Sequence, residues 1–347
     1  MNLPSTGFAR RDNIALARSP RADNLGSPRG RGSAVGFSLK IIGIANPVSG
    51  RRGKRDLLDD IQACAARRGA EFAWRWSSSA GDAARLAAQS DGADVIVVAG
   101  GDGTINDVVN GLKGRGTPLV VVPLGTENII AKEFGFPATA DAVIRRALEG
   151  RPLTIDAGSV NARRFMIVVG VGFDAEVVHR LAEVRKGHIS HATYLGPLLS
   201  TFARHEFPRL VVEVDGVRVF EARGLALVGN LSRYSMGLRI LNRASPEDGL
   251  LDVCALPCDS RGRLLLHALD IARGRHTERS GEGVVYAQGA CIRIDSPDVA
   301  PVEVDGEPAG VLPIECRVRP RDVRLLVEER DSAVLARWNG RGDCVPC

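Results

Sequence analysis

Residues suited to phosphate chemistry stand in a short stretch that follows a run of β-branched residues. Gly100, Gly101 and Gly103 lack a Cβ, so backbone N–H groups there can approach an anion closely. The helical pattern that follows opens near Thr104–Asn106 and would direct its positive dipole end at the same point. Asp102 would repel a phosphate, so it needs a metal ion between them or a hydroxyl to bind. Alone, the stretch would equally be a glycine-rich turn with Asp102 as a cap.

Two further loops of small and polar residues follow apolar strands. Strand patterns over Leu39–Ala45, Val95–Ala99 and Pro118–Val122 predict that these loops gather at one edge of an open α/β sheet, where ligands bind. The loops contain Asn46, Pro47, Ser49 and Gly50 in the first, and Gly125, Thr126, Glu127 and Asn128 in the last. A Walker A loop is excluded, because Gly50 and Gly53 stand too close before Lys54.

The elements that must position these loops fall into two groups. Up to about Arg151-Pro152, helical patterns over 57–66, 81–87 and 140–149 alternate with strands, including Glu71–Trp76, as in a Rossmann-like open sheet. After that, short strand patterns follow one another and predict a β-sandwich. They cover 154–160, 164–171, 209–214, 217–222, 224–229, 251–256 and 291–295, with helical patterns over 175–203, broken near 186–188, and 261–273.

Composition indicates a globular, reduced protein. The formal charge is +5, and residues 1–36 hold six arginines against two aspartates, so the basic character belongs mostly to this tail. A dedicated nucleic-acid surface is therefore not expected. The tail either touches anionic lipid or is a disordered extension without a role. With no secretory signal, no membrane span and seven scattered cysteines, a cytoplasmic location is expected, and Cys344 and Cys347 lack the second pair of a zinc site.

In this order and spacing, the three loops resemble the diacylglycerol kinase catalytic domain family, which includes sphingosine and ceramide kinases. The motifs are NPxSG from Asn46, GGDGTINDVVNGL from Gly100 and PLGTEN from Pro123, and the likeness runs from Lys40 to Glu328. NAD kinases and phosphofructokinases share the GGDGT part alone. The resemblance implies a phosphofructokinase-like α/β domain and a C-terminal β-sandwich. The expected organisation is a basic tail over 1–36, a nucleotide-binding domain over 37–153, a sandwich over 154–314, a strand returning to the first domain over 315–330, and a tail over 331–347.

The resemblance also implies site residues. Glu307, in the late Asp305-Gly306-Glu307 turn, is the expected proton acceptor, with Asp305 and Asp102 arranging Mg²⁺ and water, and Asp102 is the second candidate for the base. Ser77 stands where the family has a Thr that contacts ATP, although it is also a plausible N-cap. The expected ATP-binding set is Asn46, Pro47, Ser49, Gly50, Ser77, Gly100, Gly101, Asp102, Gly103, Thr104, Asn106, Asp107, Gly125, Thr126 and Asn128.

A structural Mg²⁺ is implied at a second place. Its expected ligands are the carbonyls of Ser245 and Leu250 and the carboxylate of Asp248, and the alternative is an ordinary β-turn between strands.

The chain departs from the family pattern at two positions. Ile129 replaces the Asp of PLGTxND, and Glu127 is a candidate to supply the lost carboxylate. Asp107 replaces the usual Glu and keeps the charge with a shorter reach.

One rival motif, Gly170-Val171-Gly172-Phe173-Asp174-Ala175, matches a dinucleotide fingerprint. The acid that should end a following parallel strand is missing, and lipid kinases carry the same segment, so the nicotinamide hypothesis is rejected.

These observations favour an ATP- and Mg²⁺-dependent lipid kinase of phospholipid metabolism that phosphorylates diacylglycerol or a related lipid. An alternative acceptor is a sphingoid base, ceramide or phosphatidylglycerol, and an alternative of another class is a nucleotide-binding regulator without turnover. The acceptor would be met through peripheral contact with a membrane, in an apolar groove around 189–202 and 234–241. A homodimer is possible, and the sequence does not identify the lipid.

Overall fold

A computed structural model describes residues 39–47, 54–184, 191–278 and 283–328, all within one compact unit, Ser38–Cys347. The predicted tails over 1–36 and 331–347, Ser49, Gly50 and the predicted helix break over 186–188 lie outside the described residues.

The first part of the chain alternates strands with helices. Its elements are β1 Lys40–Ala45, α1 Lys54–Arg67, β2 Glu71–Trp76, α2 Asp82–Ala88, β3 Val95–Gly100, α3 Asp102–Leu112, β4 Leu119–Pro123, α4 Ile129–Phe134 and α5 Ala140–Glu149. The four strands pair in parallel in the order β4-β3-β1-β2. All residues of β3 are buried, as expected of a strand covered by helices on both faces.

The second part consists mainly of antiparallel strands. Its elements are β5 Arg151–Val160, β6 Arg163–Phe165, β7 Val168–Val171, α6 Phe173–Val184, α7 His191–Arg204, β8 Arg209–Val214, β9 Val217–Gly229, β10 Leu251–Pro257, α8 Arg261–Ala272, β11 Val285–Gly289, β12 Cys291–Asp295, β13 Pro301–Val304, β14 Glu307–Val311 and β15 Ile314–Val327, with short 3₁₀ helices at Ser235–Gly237 and His276–Glu278.

Two layers of strands form the predicted sandwich. One layer pairs β14, β13, β7, β9, β10 and β11, and the other pairs β8, β12, β15, β5 and β6, with β9 also joined to β8. A core lies between the layers, where Val169 and Val228 of the first share one cluster with Val212 and Ile294 of the second. The predicted α/β sheet plus β-sandwich is therefore confirmed.

Strand β15 connects the two parts. It pairs antiparallel with β12 and along most of its length with β5, and at Leu325 it pairs in parallel with Leu119 of β4. The sheet therefore runs without interruption from the sandwich into the parallel strands.

Some strands differ from the sequence-based prediction. The strand predicted over 164–171 is two strands, because the backbone N–H groups of Met166 and Ile167 turn to the carboxylate of Asp305. The strands predicted over 217–222 and 224–229 are one strand, β9, and β11 was not predicted.

Within the described ranges, no helix combines the length and apolar character needed to cross a bilayer.

Candidate active site

The loops after β1 to β4 lie at one edge of the sheet, because the carboxyl ends of parallel strands share an edge. Asn46, directly after β1, reaches the loop after β3, where its Nδ2 donates to Oγ1 of Thr104 at 3.5 Å. Ser77, directly after β2, is buried, and its N–H donates to the carbonyl of Ala45. Asn46 and Pro47 are thus at this edge, while Ser49 and Gly50 are not described.

The glycine loop after β3 is tighter than predicted. Helix α3 begins at Asp102, with Gly101 as its N-cap residue, and not near Thr104–Asn106. A Cβ on Gly100 would stand 2.5 Å from the Cβ of Thr104, so this position accepts a glycine alone. The strand therefore passes directly into α3, and the N-terminus of the helix lies at the sheet edge.

The glycine loops after β3 and β4 touch each other. A Cβ on Gly101 would lie 3.2 Å from the Cα of Gly125, and one on Gly125 would lie 2.6 Å from the Cα of Gly101. Asn128 closes the second loop, accepting from Gly125 N at 2.7 Å and donating to Gly125 O at 2.9 Å. Thr126 is exposed at the tip of this loop. The predicted convergence of Gly101 and Gly125 is therefore present.

Asp102 has a structural partner that the sequence did not reveal. Its two carboxylate oxygens accept from the backbone N–H groups of Ile129 and Ile130, at 2.9 and 3.0 Å, and so cap the start of α4. Burial raises the pKa of Asp102, and the two backbone hydrogen bonds oppose this shift. The cap interpretation thus holds for α4, and the metal and base roles of Asp102 remain predictions.

Two polar residues of α3 differ in environment. Asn106 is buried and accepts from Asn110, whereas Oδ2 of Asp107 accepts from Gly81 N at 3.3 Å. Burial raises the pKa of Asp107, and the charge of Glu307 raises it further. Asp107 and Glu307 are therefore electrostatic neighbours, although they are 200 positions apart in the sequence.

The late acidic turn joins β13 to β14 as a tight hairpin. Asp305 has a φ of 49° and Gly306 a φ of 82°, as in the two-residue turns that connect hairpin strands. The carboxylate of Asp305 accepts from the N–H groups of Met166, Ile167 and Val168 at 2.8 to 2.9 Å. Burial raises the pKa of Asp305 to about 6 against these hydrogen bonds. Asp305 thereby fixes the hairpin to the start of β7, and its predicted role with Mg²⁺ is untested.

Glu307 projects from this hairpin to the glycine loop. Its Oε1 is 3.6 Å from the position of a Cβ on Gly103, and its Oε2 accepts from Nη2 of Arg163 at 2.8 Å. The Glu307 side chain is 45% exposed, so a second molecule can reach it. Sequence reasoning missed Arg163, because no motif marks it and its partner is far away in the chain.

A buried acid pair lies behind the hairpin. Glu303 accepts from Gly306 N at 2.8 Å, and Gly170 leaves room for both Glu303 and Asp174, whose oxygens would stand 2.7 and 2.8 Å from a Cβ there. Burial raises the pKa of both carboxyl groups. Gly170 thus serves close packing behind the hairpin, whereas Gly172, with a φ of 95°, packs against Gly224 and Leu225.

The predicted structural metal residues share one turn between 245 and 250. Oδ1 of Asp248 accepts from Leu250 N at 3.0 Å, and Asp156 holds the turn by accepting from Gly249 N at 2.7 Å. Burial and the charge of Asp156 raise the pKa of Asp248 and of Glu247. This surplus of carboxylates fits a cation, although the described residues contain no group of three His, Cys, Asp or Glu side chains arranged to hold one.

Ile129 and Glu127, where the chain departs from the family pattern, lie in different environments. Ile129 is buried in the core, whereas Glu127 accepts from Met236 N at 3.2 Å and lies 3.9 Å from the Lys132 ammonium. The charge of Glu127 adds to the raised pKa of Asp102. A carboxylate is therefore near Asp102 despite the loss of the usual aspartate.

Comparisons with known proteins agree with this architecture. The diacylglycerol kinase catalytic domain family matches residues 40–160, and the YegS C-terminal NAD kinase beta sandwich-like domain matches residues 167–327. A diacylglycerol kinase of Mycobacterium tuberculosis is 32% identical over 301 residues, which cover 83% of this chain and 94% of that protein. A diacylglycerol kinase of Bacillus subtilis is 28% identical over 283 residues, covering 78% of this chain and 91% of that protein.

The fold is shared with a solved structure. The crystal structure of a diacylglycerol kinase from Bacillus anthracis superposes with a TM-score of 0.63, covering 85% of this chain and 99% of that one at 18% identity.

Proposed function

Since this chain belongs to the diacylglycerol kinase family, we propose that it transfers the γ-phosphate of ATP to the hydroxyl of diacylglycerol or a closely related lipid. Kinases of this family use ATP, and two relatives named diacylglycerol kinase align over most of their length. The acceptor would be met at a membrane surface, from the cytoplasmic side. The five described cysteines are free thiols, which suits that compartment.

One observation carries the proposal: the glycine loops and the acidic hairpin meet. Gly101 touches Gly125, and two residues later Gly103 faces the carboxylate of Glu307. Backbone N–H groups at the start of α3 suit the phosphates of a nucleotide, and a carboxylate beside them suits the attacking hydroxyl. The glycine loops around Gly101, Gly103 and Gly125, here called the cradle, could therefore bind an anion next to the proton acceptor Glu307.

Glu307 is the proposed proton acceptor, with Arg163 as its positioning residue. The 2.8 Å ion pair fixes one oxygen of Glu307 and leaves the other toward Gly103. Phosphoryl transfer depends mostly on alignment and on charge stabilisation, so a fixed carboxylate direction favours the reaction. Arg163 would also supply a positive charge beside the proposed proton acceptor.

Among the carboxylates at the cradle, Asp107 fits Mg²⁺ best. Both oxygens of Asp102 and of Asp305 accept from backbone N–H groups, whereas Asp107 accepts only at Oδ2, from Gly81 N at 3.3 Å. The pKa of Asp107 is also raised in part by the charge of Glu307, a repulsion that a cation would relieve. One or two carboxylates together with phosphate oxygens are typical Mg²⁺ ligands. When bound, the ion would neutralise charge on the phosphates, while the cradle positions them and Glu307 takes the proton.

The test is transfer of radiolabelled γ-phosphate to lipid. Wild type is incubated with a mixed-lipid extract and compared with Glu307→Gln and with a matched control, Glu315→Gln. The control residue has a similar exposure, 44% against 45%, and also pairs with an arginine, Arg317 at 2.7 Å. A labelled lipid that disappears with Glu307→Gln but not with the control supports the proposal, and mass spectrometry of that product identifies the acceptor.

ATP binding without labelled product, across varied lipids and divalent ions, would contradict the proposal. It would favour a nucleotide-binding regulator instead.

A further inference from the structure

Helix α8 exposes three leucines to solvent, whereas two of its polar side chains are buried. Leu265, Leu266 and Leu269 are 54, 56 and 49% exposed, whereas the buried residues of the helix are His267 and Asp270. The three leucines lie on one side of the helix, since Leu269 follows Leu265 by four positions and Leu266 by three, and residues at both spacings are neighbours on a helix. A surface helix usually directs such leucines to the core.

The orientation of α8 is fixed by contacts on its inner side. Nε2 of His267 donates to the carbonyl of Pro257 at 2.8 Å, and Ser260 caps the first turn by accepting from Arg263 N. Leu264 and Ile271 pack against the core. The helix therefore cannot rotate to bury Leu265, Leu266 and Leu269 without breaking these contacts.

Arginines flank this leucine face. Arg261, Arg273 and Arg275 are exposed at the two ends of the helix. Arg261 donates to the carbonyls of Phe202 and Ala203 at 2.8 and 2.5 Å, which brings the start of α8 to the end of α7. Within α7, Leu195 and Leu199 are 57 and 58% exposed. Apolar side chains bordered by arginines match the chemistry of an anionic lipid surface, with an acyl region below charged headgroups.

A chain of contacts connects α8 to the candidate active site. Just beyond the helix, His276 donates to the carbonyl of Ile240 at 2.7 Å. Four residues before Ile240, the N–H of Met236 donates to Glu127, in the glycine loop after β4, at 3.2 Å. Met236 itself is 70% exposed. These contacts lead from the end of α8 to the loop after β4, beside which Met236 is exposed.

We propose that Leu265, Leu266 and Leu269 of α8 insert into the headgroup region of an anionic bilayer and that Arg273 and Arg275 bind its lipid phosphates. The inference rests on the proposed function, because a lipid kinase must take its acceptor from a membrane. It adds which surface of the chain makes that contact. The bilayer is the occupant that suits this face, since exposed leucines alone would suit any apolar partner and the flanking arginines select a negatively charged one.

Flotation with vesicles tests the surface independently of turnover. The full-length wild type is mixed with phosphatidylcholine vesicles, with and without phosphatidylglycerol. It is compared with Leu265→Gln/Leu266→Gln/Leu269→Gln and with a control that removes exposed apolar side chains elsewhere, Val217→Gln/Val299→Gln, which are 64 and 87% exposed. The leucine variant should bind anionic vesicles about tenfold more weakly or worse, while the control binds like wild type. Arg273→Gln/Arg275→Gln should reduce the preference for anionic over neutral vesicles.

Kinetics give a second readout. The leucine variant should keep its rate on a short-chain diacylglycerol dissolved as monomer and lose rate on long-chain diacylglycerol in vesicles. Equal flotation of the leucine variant and wild type, or an equal loss in the valine control, would overturn the proposal. So would sedimentation showing that wild type is a dimer and the leucine variant a monomer, because the face would then bind a second copy. If wild type labels no lipid, the proposed function fails, and flotation still decides whether α8 binds membranes.

Discussion

Gly101 and Gly125, from loops after neighbouring parallel strands, are in backbone contact, and a Cβ on Gly125 would stand 2.6 Å from the Cα of Gly101. No side chain fits between the two loops. The distance between the two loops is therefore short because both residues lack a side chain. Asn128 holds the second loop in this position through two hydrogen bonds.

Gly125→Ala should displace the loop and weaken ATP use. A displacement of about 1 Å can cost about a hundredfold in rate, so kcat/KM for ATP should fall by about that factor. The control is Gly262→Ala, where nothing stands within 4 Å of the new Cβ and the change should stabilise α8 by about 0.5 to 1 kcal/mol. Initial rates at varied ATP concentration measure kcat/KM, and unfolding in denaturant measures the stability of each variant. Equal kinetics for the two variants would show that the loop contact is not needed.

Arg163→Met should lower kcat/KM about tenfold to a hundredfold, because Glu307 loses the ion pair that directs its carboxylate. Arg163→Lys should recover part of the loss, since it keeps the charge without the planar guanidinium. The matched control is Arg317→Met, which frees Glu315 from an equivalent pair. A full rate in Arg163→Met would exclude a positioning role for Arg163.

The stability of the sandwich should depend on the protonation of Asp252. Burial raises the pKa of Asp252 from its ordinary value of 3.8 to about 6, against hydrogen bonds from Tyr286 and Gln288. The folded state thus holds a proton that the unfolded state has released, so the stability contributed by this group is complete below 3.8 and is lost as the pH rises through about 6.

Asp252→Asn removes this dependence and keeps an acceptor for the Tyr286 hydroxyl, now 2.6 Å from Asp252. The free energy of unfolding of the variant minus that of wild type should therefore increase by up to about 3 kcal/mol as the pH rises from below the ordinary pKa to above the raised one. Urea unfolding at several pH values measures the difference, with Asp59→Asn on the exposed face of α1 as control. A difference that does not change with pH would contradict the prediction.

Binding of Mg²⁺ to the turn over 245–250 should raise thermal stability. At a concentration ten times its dissociation constant, the ion should add about 1.4 kcal/mol, seen as a higher Tm at constant ionic strength. Asp248→Asn should abolish this rise, while Glu307→Gln, which leaves the turn intact, should not. An unchanged Tm in wild type would leave the turn as a connection without a metal.

Local patterns predicted much of the fold. The bounds of β2, α5, β8 and β12 agree with the prediction to the residue, because each is a clear apolar period between turn residues. The predictions of a single strand over 164–171 and of a helix opening near Thr104–Asn106 were wrong, since the residues concerned have distant partners. Met166 and Ile167 leave the strand to bind Asp305, and Asp102 caps α4 from another helix.

The candidate site shows the same division. Its glycines and acids stand in recognisable motifs, so their convergence could be expected from the order of parallel strands. The pairing of Arg163 with Glu307 joins residues 144 positions apart and follows no sequence spacing. The electrostatic neighbourhood of Asp107 and Glu307 is of the same kind, because it exists only once the sandwich packs against α3.

The course of β15 has a consequence for biosynthesis. During translation, β1 to β4 leave the ribosome long before residues 314–327. Yet the strand beside β4 at the sheet edge is β15, which is formed by that late segment, and β15 also provides most of the pairing of β5. The nucleotide-binding half therefore cannot be completed as an early, independent folding step. Nascent chains should stay incompletely folded, with β4 open at the sheet edge, until nearly the whole protein has been synthesised.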